Sequence, residues 1–524
     1  MILYLKKKIF KTQDISNMTI KRIFILLIIF VPLNVMSQSK ELKKADDYFS
    51  KFDYQKALAA YEKLEKAGES RYHVIRRIAD CFRLQNMPVM AIEWYEKAIK
   101  YSDVEAETYY HLGLTLRILK RYDESERYIA RFHTLTRTQG LQRGLSLEEY
   151  LNYIKSDSTN AEVHNLEFNT QYSEFGPALW NNHLIFSSNR PSNNMIEYKD
   201  ARNNQSFFNL YSILLNDIQN DKQAVPFQLQ IKSKFNDGPI CFSSDENTMY
   251  ITRNTATDQS GKSELDIVLT RSRDGKWDKT VSNLPLKYKG YSIAHPSITN
   301  DGERLYFVSD MPGGYGGMDI YYSERRGGFF SQPINLGPNV NTPGNELFPH
   351  ITPDGHLFFA SNGHSGLGGL DIFVSLPMET GFSEPFNLGP GINSSYDDFS
   401  IVFNKDGESG FFASNRPEGK GEDDIYSFKI LKPLKFTLIS GSIKNKQTGE
   451  TEPGVDIIVT RRDRTQIALF QSNSDGNFHI HLYSDEQYKF AFRKRLMTPV
   501  EKQVTPTQLN NSPKLNMNIE MEMR

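Results

Sequence analysis

Several stretches of this chain combine residue types that could do chemistry. Gly313-Gly-Tyr-Gly-Gly-Met-Asp319 and Gly366-Leu-Gly-Gly-Leu-Asp371 place glycines ahead of a carboxylate, the composition of a calcium loop. Calcium-binding β-helices repeat about every nine residues. Here Asp319 and Asp371 stand 52 apart. The glycines are therefore expected to supply positive φ, and each Asp to tether a turn by hydrogen bonds. No Gly-Lys-Ser/Thr follows, so neither loop cradles a phosphate. Gly363-His-Ser-Gly-Leu367 lacks the last glycine of a serine nucleophile elbow, and no His-Glu-x-x-His is present. Ser272-Arg-Asp-Gly-Lys-Trp277 sets an acid and a tryptophan on one turn, without an arginine triad or acid–tyrosine pair for sugar hydrolysis. His479 and His481 are two apart on an expected strand and so share a face. No third metal ligand can be placed beside them, and packing or surface roles are expected. Cys81 and Cys241 are too few for a disulfide framework or a four-thiolate zinc site. Cys81 is expected to be a small buried hydrophobe. No catalytic, cofactor-binding or metal residue is assigned, no cofactor is implied, and the chain is expected not to be an enzyme.

These residues need elements to hold them. The 524 residues suggest three or four domains. With 62 Lys+Arg against 63 Asp+Glu, binding to nucleic acid through bulk charge is excluded. A mean hydropathy of -0.52 excludes a polytopic membrane protein. Lys21-Arg22, the apolar run Ile23–Val31 and the small Ser37 read as a secretory signal peptide over 1–37. Nine apolar residues are short of the roughly 20 that span a bilayer. Met18 offers an alternative start, with 1–17 an extension. Removing 1–37 leaves 56 basic and 62 acidic residues, a net of -6.

Residues 38–158 carry a helical period. Small residues recur at Ala45, Ala79 and Gly113 and again at Ala57, Ala91 and Ser125, each 34 apart. Bulky partners keep register at Tyr48, Phe82 and Leu116, then Tyr61, Tyr95 and Ile129. Small side chains let two helices approach, and large ones fill the groove beside them. This pattern resembles the tetratricopeptide repeat, in three units over 38–71, 72–105 and 106–139. A helix over Leu147–Ile154 is expected to cap the stack.

Over 160–430 the period becomes alternating, with turns between. His295-Pro-Ser-Ile-Thr-Asn-Asp-Gly and Phe348-Pro-His-Ile-Thr-Pro-Asp-Gly are the clearest copies of a longer unit, with weaker ones from Gly176, Gly238 and Phe399. Asp266-Ile, Asp319-Ile, Asp371-Ile and Asp424-Ile follow at spacings of 53, 52 and 53. A unit of this size with four short strands resembles the WD40-like β-propeller repeat of envelope proteins. Five blades are expected, with the last closed by His164-Asn-Leu-Glu-Phe-Asn169, whose Asn-Leu aligns with Asn335-Leu336 and Asn387-Leu388. The second Asn comes two residues early, so the match is partial. Six blades are the alternative. Ser272–Trp277 resembles a sialidase Asp-box, in a single copy.

After a linker at Leu431-Lys-Pro433, residues 436–524 read as an all-β sandwich. Gly441-Ser-Ile443, Thr448-Gly449, Pro453-Gly-Val455 and Asp475-Gly-Asn-Phe478 resemble the carboxypeptidase regulatory-like domain, a transthyretin-like sandwich. The expected fold class is thus multidomain α plus all-β. The order of modules resembles the OmpA-family cell-envelope proteins of Bacteroidota, including the type IX secretion and gliding-associated member. Those proteins continue into an OmpA-like peptidoglycan-binding domain, and here its Asp and Arg are not found. The resemblance implies a periplasmic, outer-membrane-associated adaptor that binds other envelope proteins, with no nucleic acid and no direct membrane span after leader removal. A glycan-binding or glycan-hydrolysing propeller, and a shortened form of a peptidoglycan-anchored protein, are the alternatives. Partner-contact residues and oligomeric state are not assigned.

Overall fold

The computed structural model describes residues 40–69, 71–137, 147–156, 161–191, 200, 205–218, 220, 222–227, 235–254, 263–273, 276–284, 286, 290–432 and 434–524. The leader at 1–37, Asp274-Gly275 of the single Asp-box and Pro433 of the linker lie outside these residues. The described chain is mostly β-sheet with a few helices.

Helices α1 (Lys40–Ser50), α2 (Tyr54–Lys66), α3 (Tyr72–Leu84), α4 (Pro88–Ala98), α5 (Ala106–Ile118) and α6 (Tyr122–Thr136) stack as three hairpins, each touching the next. Ala45, Ala57, Ala79, Ala91 and Ser125 are fully buried where the helices meet. At Gly113 the helices lie so near that a Cβ there would lie 2.6 Å from Ile129 Cγ1. Tyr61 and Tyr95 fill the space beside the small residues, each burial contributing about 2 kcal/mol. The hairpin turns repeat as well. Phe52, Asn86 and Lys120, 34 apart, adopt φ of 62°, 55° and 59°. None is glycine, so composition did not reveal this left-handed position. Asp53 then caps α2 by accepting from Lys56 N at 3.2 Å, and Pro88 starts α4.

Helix α7 (Leu147–Ser156) is not only a cap on the stack. Its Leu147, Tyr150, Leu151 and Ile154 share one core with the C-terminal strands. The apolar stripe that suggested a cap is there, but the surface it covers comes from more than 280 residues further on.

Strand β1 (Ala161–Asn165) comes first in the chain and belongs to the last of five sheets. Sheet I is β2 (Glu174–Trp180), β3 (His183–Ser188), β4 (Asn209–Leu214) and β5 (Val225–Pro226). Sheet II is β6 (Asp237–Phe242), β7 (Thr248–Asn254) and β8 (Leu265–Arg273), with β9 (Lys276–Trp277) and β10 (Ser282–Asn283) both on β8. Sheet III is β11 (Ile293–Ile298), β12 (Arg304–Ser309) and β13 (Asp319–Arg326), with β14 (Phe329–Phe330) and β15 (Ile334–Asn335) both on β13. Sheet IV is β16 (Glu346–Ile351), β17 (Leu357–Ser361), β18 (Asp371–Ser375) and β19 (Phe386–Asn387). Sheet V is β20 (Asp398–Phe403), β21 (Ser409–Ser414), β22 (Asp424–Ile430) and β1. The first strands touch in the order β2, β6, β11, β16, β20 and β2 again, which sets the sheets around one axis in propeller fashion.

The partial match at Asn169 is explained by hydrogen bonds. Asn341 Nδ2 donates to Ile320 O (3.0 Å), and Ile320 N donates back to Asn341 Oδ1 (2.8 Å). Asn393 makes the same pair with Ile372 (2.9 and 2.7 Å), and Asn169 makes it with Ile425 (2.7 and 3.0 Å). The side chain imitates a β-bridge, so the clamp survives a loop two residues shorter. Residues 256 apart are thereby tied, and β1 lies antiparallel to β22 from Ala161↔Ile430 to Asn165↔Tyr426.

The remaining strands form two sheets. One holds β23 (Phe436–Asn445), β26 (Asn477–Tyr483), β29 (Lys514–Asn516) and β30 (Ile519–Met521). The other holds β24 (Asp456–Arg461), β25 (Gln466–Gln471), β27 (Tyr488–Arg493) and β28 (Val500–Val504). Ile439, Ile443 and Phe478 of the first sheet share a core with Ile457, Phe490 and Phe492 of the second. Phe386 of sheet IV meets Phe436 and Tyr483 at ring separations of 4.7 and 5.6 Å, joining the two bodies.

Candidate functional site

The innermost strands all carry a β-bulge, between Phe175/Ala178, Asp237/Ile240, Ala294/Ser297, Leu347/His350 and Phe399/Val402. Proline follows in four of them (Pro177, Pro239, Pro296, Pro349). Its missing N–H is harmless where the ladder is already broken. His295, Phe348 and Ser400 take φ of 53°, 51° and 53°, where sheet I has Gly176. The bulge turns rings toward the axis. Phe175 of sheet I meets Phe348 of sheet IV at 6.3 Å, and Phe399 of sheet V meets Phe348 at 4.9 Å. Sheets I and IV are not neighbours in the ring, so the contact crosses the axis and closes one end of the bore. His295 lies flat on Phe348 at 3.9 Å, with Nδ1 accepting from Phe348 N.

Beyond this plug is a pocket of about 280 Å³. It shares Leu179, Glu246, His350, Ile351, Pro353 and Phe403 with an adjoining, wider depression of about 1440 Å³. Burial pushes His295 down to about 3 and His350 down to about 4, so both imidazoles are neutral at pH 7. Glu246 is engaged by accepting from Asn181 N, while its carbonyl accepts from Trp180 Nε1. The pocket offers apolar contact, hydroxyls and neutral imidazoles to a small uncharged group.

A second feature lies outside the bore. Glu174, Asp237 and Asp398 open the inner strands of sheets I, II and V and are buried. Each meets an arginine: Glu174–Arg190 at 3.0 Å, Asp237–Arg253 at 2.6 Å and Asp398–Arg416 at 2.5 Å. Sheet IV has the acid, Glu346, fully buried, but not the arginine. Ser188-Asn-Arg190 and Ser414-Asn-Arg416 become Ser361-Asn-Gly363. A Cβ at Gly363 would lie 1.7 Å from Thr342 Oγ1, so no arginine fits the loop as it stands. Glu346 accepts from Thr342 N (2.8 Å), Thr342 Oγ1 (2.6 Å) and Ser361 Oγ (2.7 Å). Burial outweighs these bonds and pushes it up to about 8.

The helical stack docks where that arginine is missing. Arg117 of α5 is 3% exposed, and its Nη1 donates to His364 O at 3.1 Å. Tyr122 donates to Leu367 O at 2.9 Å, and Leu367 enters the core shared by α7 and the C-terminal strands. Three bodies therefore meet at one loop of sheet IV. Arg117 Nε and Asp371 Oδ1 have no hydrogen-bond partner among the described residues. Burial pushes Asp371 up to about 7. In the second hairpin Asp80, 2% exposed, accepts from Tyr95 Oη at 2.7 Å and from Arg77 at 3.4 Å.

The residues singled out in the sequence are placed as follows. Asp319 accepts from Tyr315 N (2.6 Å) and Gly316 N (3.1 Å), and Asp371 accepts from Leu367 N, so the carboxylates do tether their loops. The glycines act differently from expectation. Of Gly313, Gly314, Gly316 and Gly317, Gly313 alone has positive φ. A Cβ at Gly316 would sit 2.3 Å from Thr342 O, and one at Gly368 would sit 2.3 Å from Ser395 C. They are small because the next sheet's loop lies against them. His479 and His481 stand on β26 toward sheet IV. Burial, then His479 and His356, push His481 down to about 4. Among the described residues no three metal-ligating side chains lie together. Cys81 is fully buried and its thiol is pushed up to about 12 by burial, as is that of Cys241. The acid–arginine pairs were missed, although Ser-Asn-Arg recurs in the sequence.

No family model matches the chain, and no curated protein matches it. Solved structures do. One, described as a "putative TolB" from Agrobacterium tumefaciens, is 15% identical and aligns over 62% of this chain and 97% of its own, with a TM-score of 0.29. A GH32 β-fructofuranosidase of Bombyx mori is 9% identical over 66% of this chain and 89% of its own, at 0.31. A xylan β-1,4-xylosidase of Bacillus halodurans is 10% identical over 68% and 94%, also at 0.31. The expectation that the chain is not an enzyme is withdrawn, since glycoside hydrolases stand among the similar structures. At these identities the likeness assigns no activity. Among the described residues no helix is long and apolar enough to cross a membrane.

Proposed function

We propose that this chain is a periplasmic, outer-membrane-associated adaptor that holds other envelope proteins together, in type IX secretion or gliding. In this reading a tetratricopeptide stack, a five-bladed propeller and a carboxypeptidase regulatory-like sandwich act as one platform. The observation that carries it is the junction at sheet IV, where Arg117, Tyr122 and Leu367 bind the three bodies together. A fixed arrangement of a helical groove and a propeller face suits simultaneous contact with several partners. The order of modules supports the envelope setting. Affinity capture from envelope fractions should recover specific partners. The reading fails if none is recovered and deletion leaves secretion, motility and envelope integrity intact.

A second reading, a glycan-binding or glycan-hydrolysing propeller, draws on the pocket of about 280 Å³ lined by the inner strands. A glycan array and a panel of chromogenic glycosides test it. Absence of both binding and turnover counts against it.

A further inference from the structure

The hairpins at the outer edges of sheets II, III and IV can be compared position by position. Ser272 pairs with Trp277, Arg325 with Phe330 and Pro377 with Phe382. Trp277 and Phe382 tuck into the cores between sheets, at 5% and 7% exposure, and Phe330 packs likewise. Phe329 has no counterpart. It stands where sheet II has Lys276 and sheet IV has Gly381, and it is 74% exposed. An aromatic ring left in water beside a sibling that is tucked away is not needed for packing.

Phe329 and Phe330 border a cleft of about 560 Å³ between sheets II and III. Arg271, Arg273 and Arg325 line it, and the Arg325 guanidinium lies over Gly302. Arg304 and Arg326 share Glu324 at 3.1 and 2.8 Å. Arg271, Arg273 and Arg325 have no carboxylate partner among the described residues. Among the described residues two acids border the cleft, and both are committed to their own turns. Asp245 accepts from Ser243 Oγ and Asn247 N, and Asp301 accepts from Thr299 Oγ1 and Glu303 N. Three guanidinium groups with no carboxylate partner among the described residues, beside an exposed ring, stand out on a chain of near-zero net charge.

We propose that this cleft, with Arg271, Arg273, Arg325 and Phe329, is a docking surface for an acidic segment of a partner protein that carries a large apolar side chain. Guanidinium groups bind carboxylates with two parallel hydrogen bonds, which gives direction as well as attraction. Phe329 supplies the apolar anchor, and aromatic and Arg residues dominate such contacts. The proposal rests on the adaptor reading and names one of its surfaces.

The test uses the full chain and a fluorescein-labelled octapeptide, Asp-Glu-Phe-Asp-Glu-Leu-Asp-Glu, with a counterpart in which Asn and Gln replace the acids. Fluorescence anisotropy should show the acidic peptide binding at least about tenfold tighter than its neutral counterpart, weakening with salt. Arg325→Glu should weaken binding by about tenfold or more and flatten the salt dependence. Phe329→Ala should weaken it several-fold with the salt dependence unchanged. Both side chains are exposed, so circular dichroism of the variants should match that of the parent. The proposal is overturned if the two peptides bind alike or if neither variant changes the affinity. It is also overturned if a heparin oligosaccharide binds in an Arg325-dependent way and the peptide does not. Capture of the same envelope partners by the Arg325→Glu chain would overturn this surface while the adaptor reading stands.

Discussion

Glu346 and Glu174 occupy the same place in two sheets and keep the same neighbours. Each accepts from the backbone N–H and hydroxyl of a threonine four residues earlier, and from a serine hydroxyl on the next strand. The difference is Arg190, 3.0 Å from Glu174, against Gly363. Removing the charge should therefore act with opposite sign at the two sites. The folded value of Glu346 is about 8, above its ordinary 4.5. The native state then holds a proton that the unfolded chain releases, so stability falls as pH rises from about 4.5 to about 8 and is level outside that window. The slope is about 1.4 kcal/mol per pH unit, an upper figure of about 3 kcal/mol by pH 7. Glu346→Gln is neutral at every pH. Its amide can donate to the Thr342 and Ser361 hydroxyls, while its carbonyl accepts from Thr342 N. The variant should melt several degrees above the parent at pH 8 and within about one degree of it at pH 4.5. Glu174→Gln strands the Arg190 charge and should destabilise by up to about 3 kcal/mol at pH 7. Other carboxyls titrate in both proteins and cancel in the difference. Calorimetry of the three proteins from pH 4.5 to pH 8.5 makes the measurement. Parallel pH profiles for Glu346→Gln and the parent, or a destabilised Glu346→Gln at pH 8, would refute the argument.

Three further outcomes are expected. Asn169→Ala removes both bonds to Ile425 and should cost about 1–3 kcal/mol, seen as faster hydrogen exchange in 161–165 and 424–430. Arg117→Ala removes the bond to His364 O and should open the junction, detected as faster proteolysis between the helical stack and sheet I with sheet cores unaffected. Gly113→Leu drives a side chain into Ile129 and should destabilise the stack by about 1–3 kcal/mol or unfold it. Helical circular dichroism would then melt below the β signal.

Much of the architecture was legible because it repeats. A period of 34 in small residues, and of 52 or 53 in Asp-Ile pairs, survives any change in the residues between. Burial needs the same size at the same place in each copy, so Ala45, Ala79 and Gly113 declare themselves. The Asn clamps were also half visible, since Asn341 and Asn393 recur, and Asn169 was doubted over loop length alone. What failed was the reason for features read correctly. The glycines before Asp319 and Asp371 were assigned to backbone angle, whereas a neighbouring loop needs their lack of a side chain. That neighbour is not in the local sequence. Helix α7 was given to the stack beside it because its stripe records a buried face and not what covers it.

The sequence by itself determined the helical and sheet repeats and many of the elements within them, because periodicity and turn chemistry are local properties. Only the tertiary structure decided what the exceptions mean. Gly363 looks like a lost arginine until Arg117, 246 residues earlier, is found docked on the same loop. Phe329 looks like any aromatic in a strand until its neighbour Phe330 is seen to take the buried place. Exposure, ionisation and pairing depend on groups distant in the chain, and only folding brings those groups within a few ångströms.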